Sequence, residues 1–437
     1  MKRIYIAIIS LALSVGAMAQ SGTNTPYSQF GLGILDDQSQ GFNRAMDGLG
    51  IGMRAGGQVN VLNPASYSSI DSITMIFDAG FSAQITNFKE NGNKKNARNA
   101  NFEYAVATFR LLPKVGVSLG ILPLTSIGYD YSAQSSSKDY ITVYNYNGNG
   151  GLNEVFLGAG WNLWKNLSLG FNVAYVWGKY ERYATSAISK TYSNDLSRVY
   201  SGRINSYKLD FGAQWTQNVN KTDNIVVGAI FGVGHKMHGD ADLVMRNYQA
   251  LQSTTFSDTI SIDNAYSLPT SFGVGASYNR INKFRVGFDY SLQMWGKLDY
   301  PVANDVAGNV SGASNVNNRL RYEMQSGMLS DRHKVTVGGE YIPNAMARSI
   351  FKRINYRMGV SYATSYYKVN GNSGPKEISV SAGFGIPITN AWNNRSYVNI
   401  SAQWLNRSAS GLISENQFRI NIGLTFNERW FSKWKFE

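Results

Sequence analysis

The chain contains no cysteine, so no disulfide framework holds it together. Three histidines and no Ser/His/Asp grouping around a nucleophile elbow leave little for hydrolytic or metal chemistry. His235-x-x-His238, with Asp240 and Asp242 nearby, has the donor types of a metal site. Such mixtures are common in solvated loops, so neither a metal nor a cofactor is expected, and the chain does not read as an enzyme. No apolar run of about 18 residues follows the N-terminal twenty, which excludes a helical membrane protein. Only nine prolines are spread over 437 residues, so long strands go largely uninterrupted. Acid is scarce beside base, and the net charge is +13. The Lys and Arg residues are scattered through turns rather than gathered on one face, which argues against a nucleic-acid partner. Anionic lipid headgroups and lipopolysaccharide are the expected partners of this charge.

What the chain has in quantity is glycine (44), tyrosine (27), phenylalanine (21) and tryptophan (9), at a mean hydropathy of only −0.24. Many aromatics with low average hydropathy suit strands with one face in lipid and one in water. The N-terminus reads as a secretory signal peptide over 1–19. Lys2 and Arg3 precede an apolar stretch from Ile4 to Val15 and a small-x-small site at Ala17-Met18-Ala19. No cysteine follows to carry a lipid.

Period-two alternation begins at Ile73. Ile73, Met75, Phe77, Ala79, Phe81, Ala83 and Ile85 alternate with small or polar residues. The pattern returns at 167–177, 207–215 and 284–294. Counting all such runs predicts fourteen membrane-crossing strands over 73–427. Short connections near Pro113, Trp164, 218–223 and 281–283 alternate with long polar ones at 89–101, 126–151, 184–199, 237–266 and 298–331. That asymmetry predicts an all-β transmembrane antiparallel barrel in the outer membrane with both termini periplasmic. Tyr129, Tyr131, Trp161, Trp164, Trp177, Tyr180, Trp295, Tyr300, Tyr366 and Tyr367 are expected in its interfacial aromatic girdles.

Residues 20–72 precede the first strand. Their stretch "MDGLGIGMRAGG" (46–57) contains Gly50-x-Gly52-x-x-Ala55, which fits a dinucleotide-binding fingerprint. No buried strand leads into it, and Gly56 and Gly57 break any helix after it, so a nucleotide is not expected. The glycines suit a backbone pressed against inward side chains, with Gly48, Gly50, Gly52, Asn63 and Pro64 in an N-terminal plug within the lumen. The tail over 428–437 interleaves Trp430, Phe431 and Trp434 with cations, as at a membrane interface or a partner surface.

"NRAMDGLGIG" (43–52) followed by "NPASYSSID" (63–71) resembles the hatch of FadL/TodX-type outer-membrane proteins. "TPYSQFGLG" (25–33), "LPTSFGVGASY" (268–278) and "FNERWFSKWKFE" (426–437) look like the Bacteroidetes version. The resemblance implies fourteen strands, a hatch over 20–72, and sideways passage of a hydrophobic ligand through a kinked third strand. The matching strand carries Gly116, Gly120 and Pro123. Pro123 either kinks the strand or ends it near the rim. Two functions follow. The first, placed ahead, is an uptake channel for hydrophobic small molecules with lateral exit at strand three. The second is a non-transporting barrel acting as an accessory or scaffold subunit of a barrel-assembly or surface-lipoprotein machine, with other outer-membrane proteins as partners. The polarity of 237–266 and 298–331 weighs against a collector of greasy ligands.

Overall fold

A computed structural model describes residues 23–72, 74–90, 92–190, 195–249, 254–305, 320–389 and 395–429. The segment 1–19 and the tail residues Trp430, Phe431 and Trp434 lie outside the described residues.

Alternating side chains and short turns produce a closed barrel of fourteen antiparallel strands: β1 (Thr74–Glu90), β2 (Asn93–Leu112), β3 (Val115–Ser136), β4 (Ile141–Asn162), β5 (Leu167–Ile188), β6 (Asp195–Asn218) and β7 (Asp223–Gly232), then β8 (Ser271–Arg280), β9 (Phe284–Gln293), β10 (Arg332–Tyr341), β11 (Asn355–Ala363), β12 (Lys376–Thr389), β13 (Arg395–Ser408) and β14 (Ser414–Arg429). β1 pairs with β14 from Thr74↔Arg429 to Lys89↔Ser414, so the sheet has no free edge around its girth. Outward positions are apolar and exposed, among them Phe77, Phe171, Val173, Val286, Phe288 and Phe426. Their neighbours Ile76, Asp78, Ser82 and Asp289 face inward and are buried.

The expected long loops are largely strand. β1 and β2 meet in a hairpin with Glu90 opposite Asn93, so 89–90 and 93–101 are ladder rather than loop. β3 and β4 pair out to Ser136↔Ile141. His238–Gln249 and Thr254–Ile262 form a further hairpin that continues the sheet beside β6. β3 to β6 therefore run 22 to 24 residues, against 9 or 10 in β7 to β11. About 9–11 residues suffice to cross a bilayer. The excess lies on the side away from the short turns, where water bathes the outer face and polar side chains suit both surfaces. Ladder hydrogen bonds form regardless of side-chain polarity, so a polar run still makes strand once a neighbour sets its register.

Seven of the ten expected girdle aromatics are in this inner upper region, Tyr131 and Tyr300 being packed against its buried members. Tyr129, Tyr180, Trp295, Tyr366 and Tyr367 are buried in a cluster enclosed by the tall wall. Arg182 sits among them, 4.7 Å from the Tyr180 ring and donating to the Tyr300 hydroxyl and the Gly31 carbonyl. Trp161 and Trp164 remain outside, near the short turns. His235, from the considered metal motif, stacks on Tyr207 at 4.1 Å.

With single cysteines introduced, a lipid-soluble thiol reagent should label positions 77, 171, 286 and 288 and spare 78, 82 and 289. Equal labelling of the two sets would rule out the inward and outward assignment.

Candidate functional site

The sequence singles out β3, and there the wall is irregular. β2 pairs with β3 only up to Ala105↔Ile121. Beyond that point β3 continues to Ser136 with β4 alone on its far side. Pro123 therefore does not end the strand. It begins a bulge in which Pro123 opposes Asn153 and Thr125 opposes Leu152. Proline lacks the ladder donor, and the extra residue bends the strand away from β2. β4 takes up the bend at Gly150 and Gly151, with φ of 123° and 146°. A Cβ at Gly151 would meet the Thr125 carbonyl at 2.2 Å. Gly116 and Gly120 lie in the regular, paired part of β3, apart from Pro123. A Cβ at Gly116 would fall 1.9 Å from the Tyr67 carbonyl, so its role is close approach of the chain inside.

β2 is irregular at the same seam. Its register against β1 shifts between Gly80 and Phe81, leaving Glu103 without a partner across the ladder. Glu103 turns inward and is buried.

The seam is filled by the chain's own N-terminal residues. Ile34 and Leu35 pair with Ser126 and Thr125 on the edge that β2 has left. Asp36 N–H donates to the Leu124 carbonyl at 3.1 Å, and Gln38 Nε2 to the Pro123 carbonyl at 3.2 Å. Thr25 N–H reaches the Gly128 carbonyl at 2.8 Å, and Ser28 Oγ accepts from Gly128 N–H at 3.0 Å. The other lip is held too. On β2, Asn24 bonds to Asn99 and Arg44 pairs with Glu103 at 2.8 Å, while Thr25 bonds to Glu415 on β14. Arg44 also donates to the carbonyls of Ser39 and Asp37. Burial penalises the Asp37 carboxyl, but Arg44 and Lys334 hold it down at about 2. Burial pushes Asp36 up to about 6, against the pull of the Ser126 hydroxyl that donates to it at 2.6 Å.

The glycine stretch has its anion after all, and it is internal. The Asp289 carboxylate on β9 accepts from Gly50 N–H (2.6 Å), Ile51 N–H (2.8 Å) and Gly52 N–H (3.4 Å). Successive N–H groups make an anion-binding concavity, here occupied by the barrel wall. A Cβ at Gly52 would lie 2.8 Å from the Ala276 backbone, and one at Gly50 would lie 2.4 Å from Leu62. Gly48 has φ +84°. Asn63 caps a short 3-10 turn starting at Pro64, accepts from Ala65 N–H and donates to the Ile51 carbonyl at 2.9 Å. Wall glycines meet this turn: a Cβ at Gly212 would touch Asn63, and one at Gly170 would touch Pro64. Asp289 and Glu103 were not singled out from sequence. An acid in an inward position of a strand is the one signal that marks them.

Between this inner chain and the wall is a cavity of ≈240 Å³. Leu35, Leu124 and Phe156 line it beside Glu154, Lys208 and Asp210. Lys208 Nζ lies 3.1 Å from Glu154 and 2.9 Å from Asp210. A cavity crossed by an ion-paired triad is a poor fit for a hydrocarbon, because a desolvated charge needs partners an apolar ligand cannot supply.

The sequence matches the family model BamG over residues 1–437. No curated protein matches it. Among solved structures, the Pseudomonas putida toluene transporter TodX superposes with a TM-score of 0.60 at 13% identity, covering 91% of this chain and 100% of that one. The Ralstonia pickettii toluene transporter TbuX gives 0.59 at 13%, covering 90% and 99%. A Pseudomonas aeruginosa FadL homologue gives 0.57 at 10%, covering 90% and 99%. At these identities the likeness is one of fold. It carries the expected FadL/TodX resemblance as architecture, while the sequence itself falls to a different family.

Two measurements probe the site. Asp289→Ala should leave three N–H groups without an acceptor, each costing about 1–3 kcal/mol. The heat-resistant folded fraction should then drop on a gel, with Asp289→Asn intermediate and no ATP or NAD binding in the parent. The second uses Asp36. Its docked form holds a proton more tightly than an exposed Asp, so docking of Ile34–Leu35 is favoured at low pH and weakens as pH rises through about 6. A cysteine at position 34 should react faster with an aqueous thiol reagent at pH 7.5 than at pH 5, once corrected for thiolate fraction. Asp36→Asn should flatten that difference.

Proposed function

The chain belongs to the BamG family, and from that premise we propose that it is a non-transporting outer-membrane barrel. It would serve as an accessory or scaffold subunit of an outer-membrane assembly complex, with residues 20–72 as a hatch that seals it. The observation that carries this reading is the filled seam. A lateral exit needs a gap in the wall between β2 and β3. Here each lip is bonded to residues 24–44, and backbone groups that an exit would leave open are paired with Asp36, Gln38, Thr25 and Ser28. The charged triad of the adjacent cavity supports the same reading. The partners are other outer-membrane proteins, with lipid around the wall. The tail residues Trp430, Phe431 and Trp434 are a further proposed contact, at the periplasmic interface.

A second reading is lateral uptake of a hydrophobic compound. The Pro123 bulge and the fold shared with two toluene transporters favour it. It requires Ile34–Leu35 to leave the edge of β3.

A disulfide separates the two. The chain has no cysteine of its own, and directly paired strand positions are close enough to bridge. Ile34→Cys with Ser126→Cys should lock the segment in the seam. On the accessory reading, the locked and reduced forms recover the barrel-inserting subunit from detergent extracts equally, and neither takes up labelled toluene. Uptake in the reduced form that vanishes on oxidation would establish the channel and overturn the scaffold.

A further inference from the structure

A second cavity, of ≈390 Å³, opens among the short turns. Its size is within the range of about 300–1,000 Å³ typical of ligand sites. Its charge is one-sided. Arg54, Arg280, Lys283 and Arg285 line it against a single carboxylate, Glu340. That carboxylate is already engaged: Arg357 Nε holds it at 2.7 Å and Asn355 Nδ2 at 3.0 Å, and Arg285 Nε pairs with its other oxygen at 3.6 Å, so one carboxylate is shared by two arginines. Arg280 pairs with Asp223 at 3.6 Å on an exposed turn, and among the described residues Lys283 Nζ donates to the Pro343 carbonyl and to no carboxylate.

Arg54 is the telling member. It comes from the inner chain just after the glycine stretch. It donates to Ser168 and Ser68 at 2.9 Å and to Gln214 at 3.4 Å, all neutral oxygens. Among the described residues no carboxylate lies within ion-pair distance of it. Burial alone lowers its guanidinium to about 10. Two more groups on the lining have no partner among the described residues: the Thr216 hydroxyl and the Asn279 carbonyl oxygen, both buried. Cations short of counter-ions and unfilled neutral groups around one cavity describe a site built for a ligand with anionic and polar parts.

We infer that this cavity is a docking site for an acidic peptide segment of a periplasmic partner protein, with Arg54 and Arg285 receiving its carboxylates. The identity of that partner as an assembly subunit rests on the accessory reading; the chemistry of the site does not. A peptide is favoured over a phospholipid because Arg285 points to the lumen. Its neighbour Val286 faces outward, exposed, so the wall separates the cavity from the bilayer. It is favoured over a free phosphate because the cations come from separate pieces, the inner chain and the β8–β9 turn, and do not form one ring.

The test is fluorescence anisotropy of a fluorescein-labelled hexaglutamate peptide with the full chain in detergent. Binding should weaken steeply as salt rises, and hexaglutamine should not bind. Arg54→Gln and Arg285→Gln should each weaken binding roughly tenfold. Lys283→Glu, on an exposed turn where folding is not at stake, should weaken it as well. Heat-resistant gel migration reports whether each variant is folded. Equal binding of hexaglutamine, or unchanged affinity in the folded variants, would overturn the site. Displacement by inorganic phosphate at matched charge would make it a free-anion site, and displacement by phosphatidylglycerol vesicles a headgroup site; either would overturn the peptide. Peptide binding that persists while the barrel-inserting subunit is not recovered sinks only the accessory reading. Recovery of that subunit without peptide binding sinks only this inference.

Discussion

In hydrocarbon a backbone N–H or C=O has no water to bond, and each one left unpaired costs several kcal/mol. A closed barrel meets that constraint by pairing every strand on both edges. Among the described residues the wall departs from this along β3 above Ile121, where β2 peels away. The lapse is made good by residues 24–38, which supply the missing edge to Pro123, Leu124, Thr125, Ser126 and Gly128. The inner chain is thus part of the wall's hydrogen-bond ladder as well as a filling for the lumen. Wall and inner chain then depend on each other: without the inner chain β3 has an open edge, and without the bend at Pro123 the inner chain has nowhere to pair.

Placement of the inner chain is fixed by charge. Arg44 to Glu103, and the 50–52 amides to Asp289, link one chain segment to opposite parts of the wall. Further up, Arg407 bridges Glu377 at 2.7 Å and Glu415 at 3.5 Å, and Thr25 bonds to that same Glu415. Buried ion pairs add little net stability, since desolvation offsets most of their attraction. What they do is penalise alternatives. A slip of the inner chain by one residue would strand Arg44 and Glu103 as lone buried charges. The cavity of Arg54 differs on this point, since among the described residues Arg54 and Lys283 have no carboxylate partner.

The barrel was legible because lipid writes period two into the sequence. Phe77, Phe171 and Phe288 alternate with inward residues wherever hydrocarbon lies outside. The signal fades where water lies on both faces, and so 93–101, 129–136 and 141–150 read as loops although they are strands. Tyr129 and Tyr180 read as girdle residues because composition does not reveal which face of a strand a tyrosine occupies. Pro123 marked the irregular strand, since a missing donor is visible in a sequence. Its complement was not. Nothing local to Ile34 or Leu35 says that they pair with residues ninety positions away, and Glu103 looks like any acid in a polar run until the bulge turns it inward. The Gly50–Gly52 motif was rightly separated from a helix, but its anion came from a strand far along the chain.

Height is the remaining asymmetry. β3 to β6 and the hairpin after β7 rise well above the bilayer, while β8 to β11 stop near it. On the proposed accessory reading, a rigid sheet standing on one flank gives a membrane-embedded body a front and a back. The filled seam runs along the edge of that same tall wall, at β3. Opening the seam would release the edge on which the wall's first strand rests, and the cluster of Tyr180, Tyr366 and Tyr367 behind it would lose contact with Tyr27 and Phe30 of the inner chain. Lateral exit and a rigid upper wall thus make opposing demands on the same hydrogen bonds.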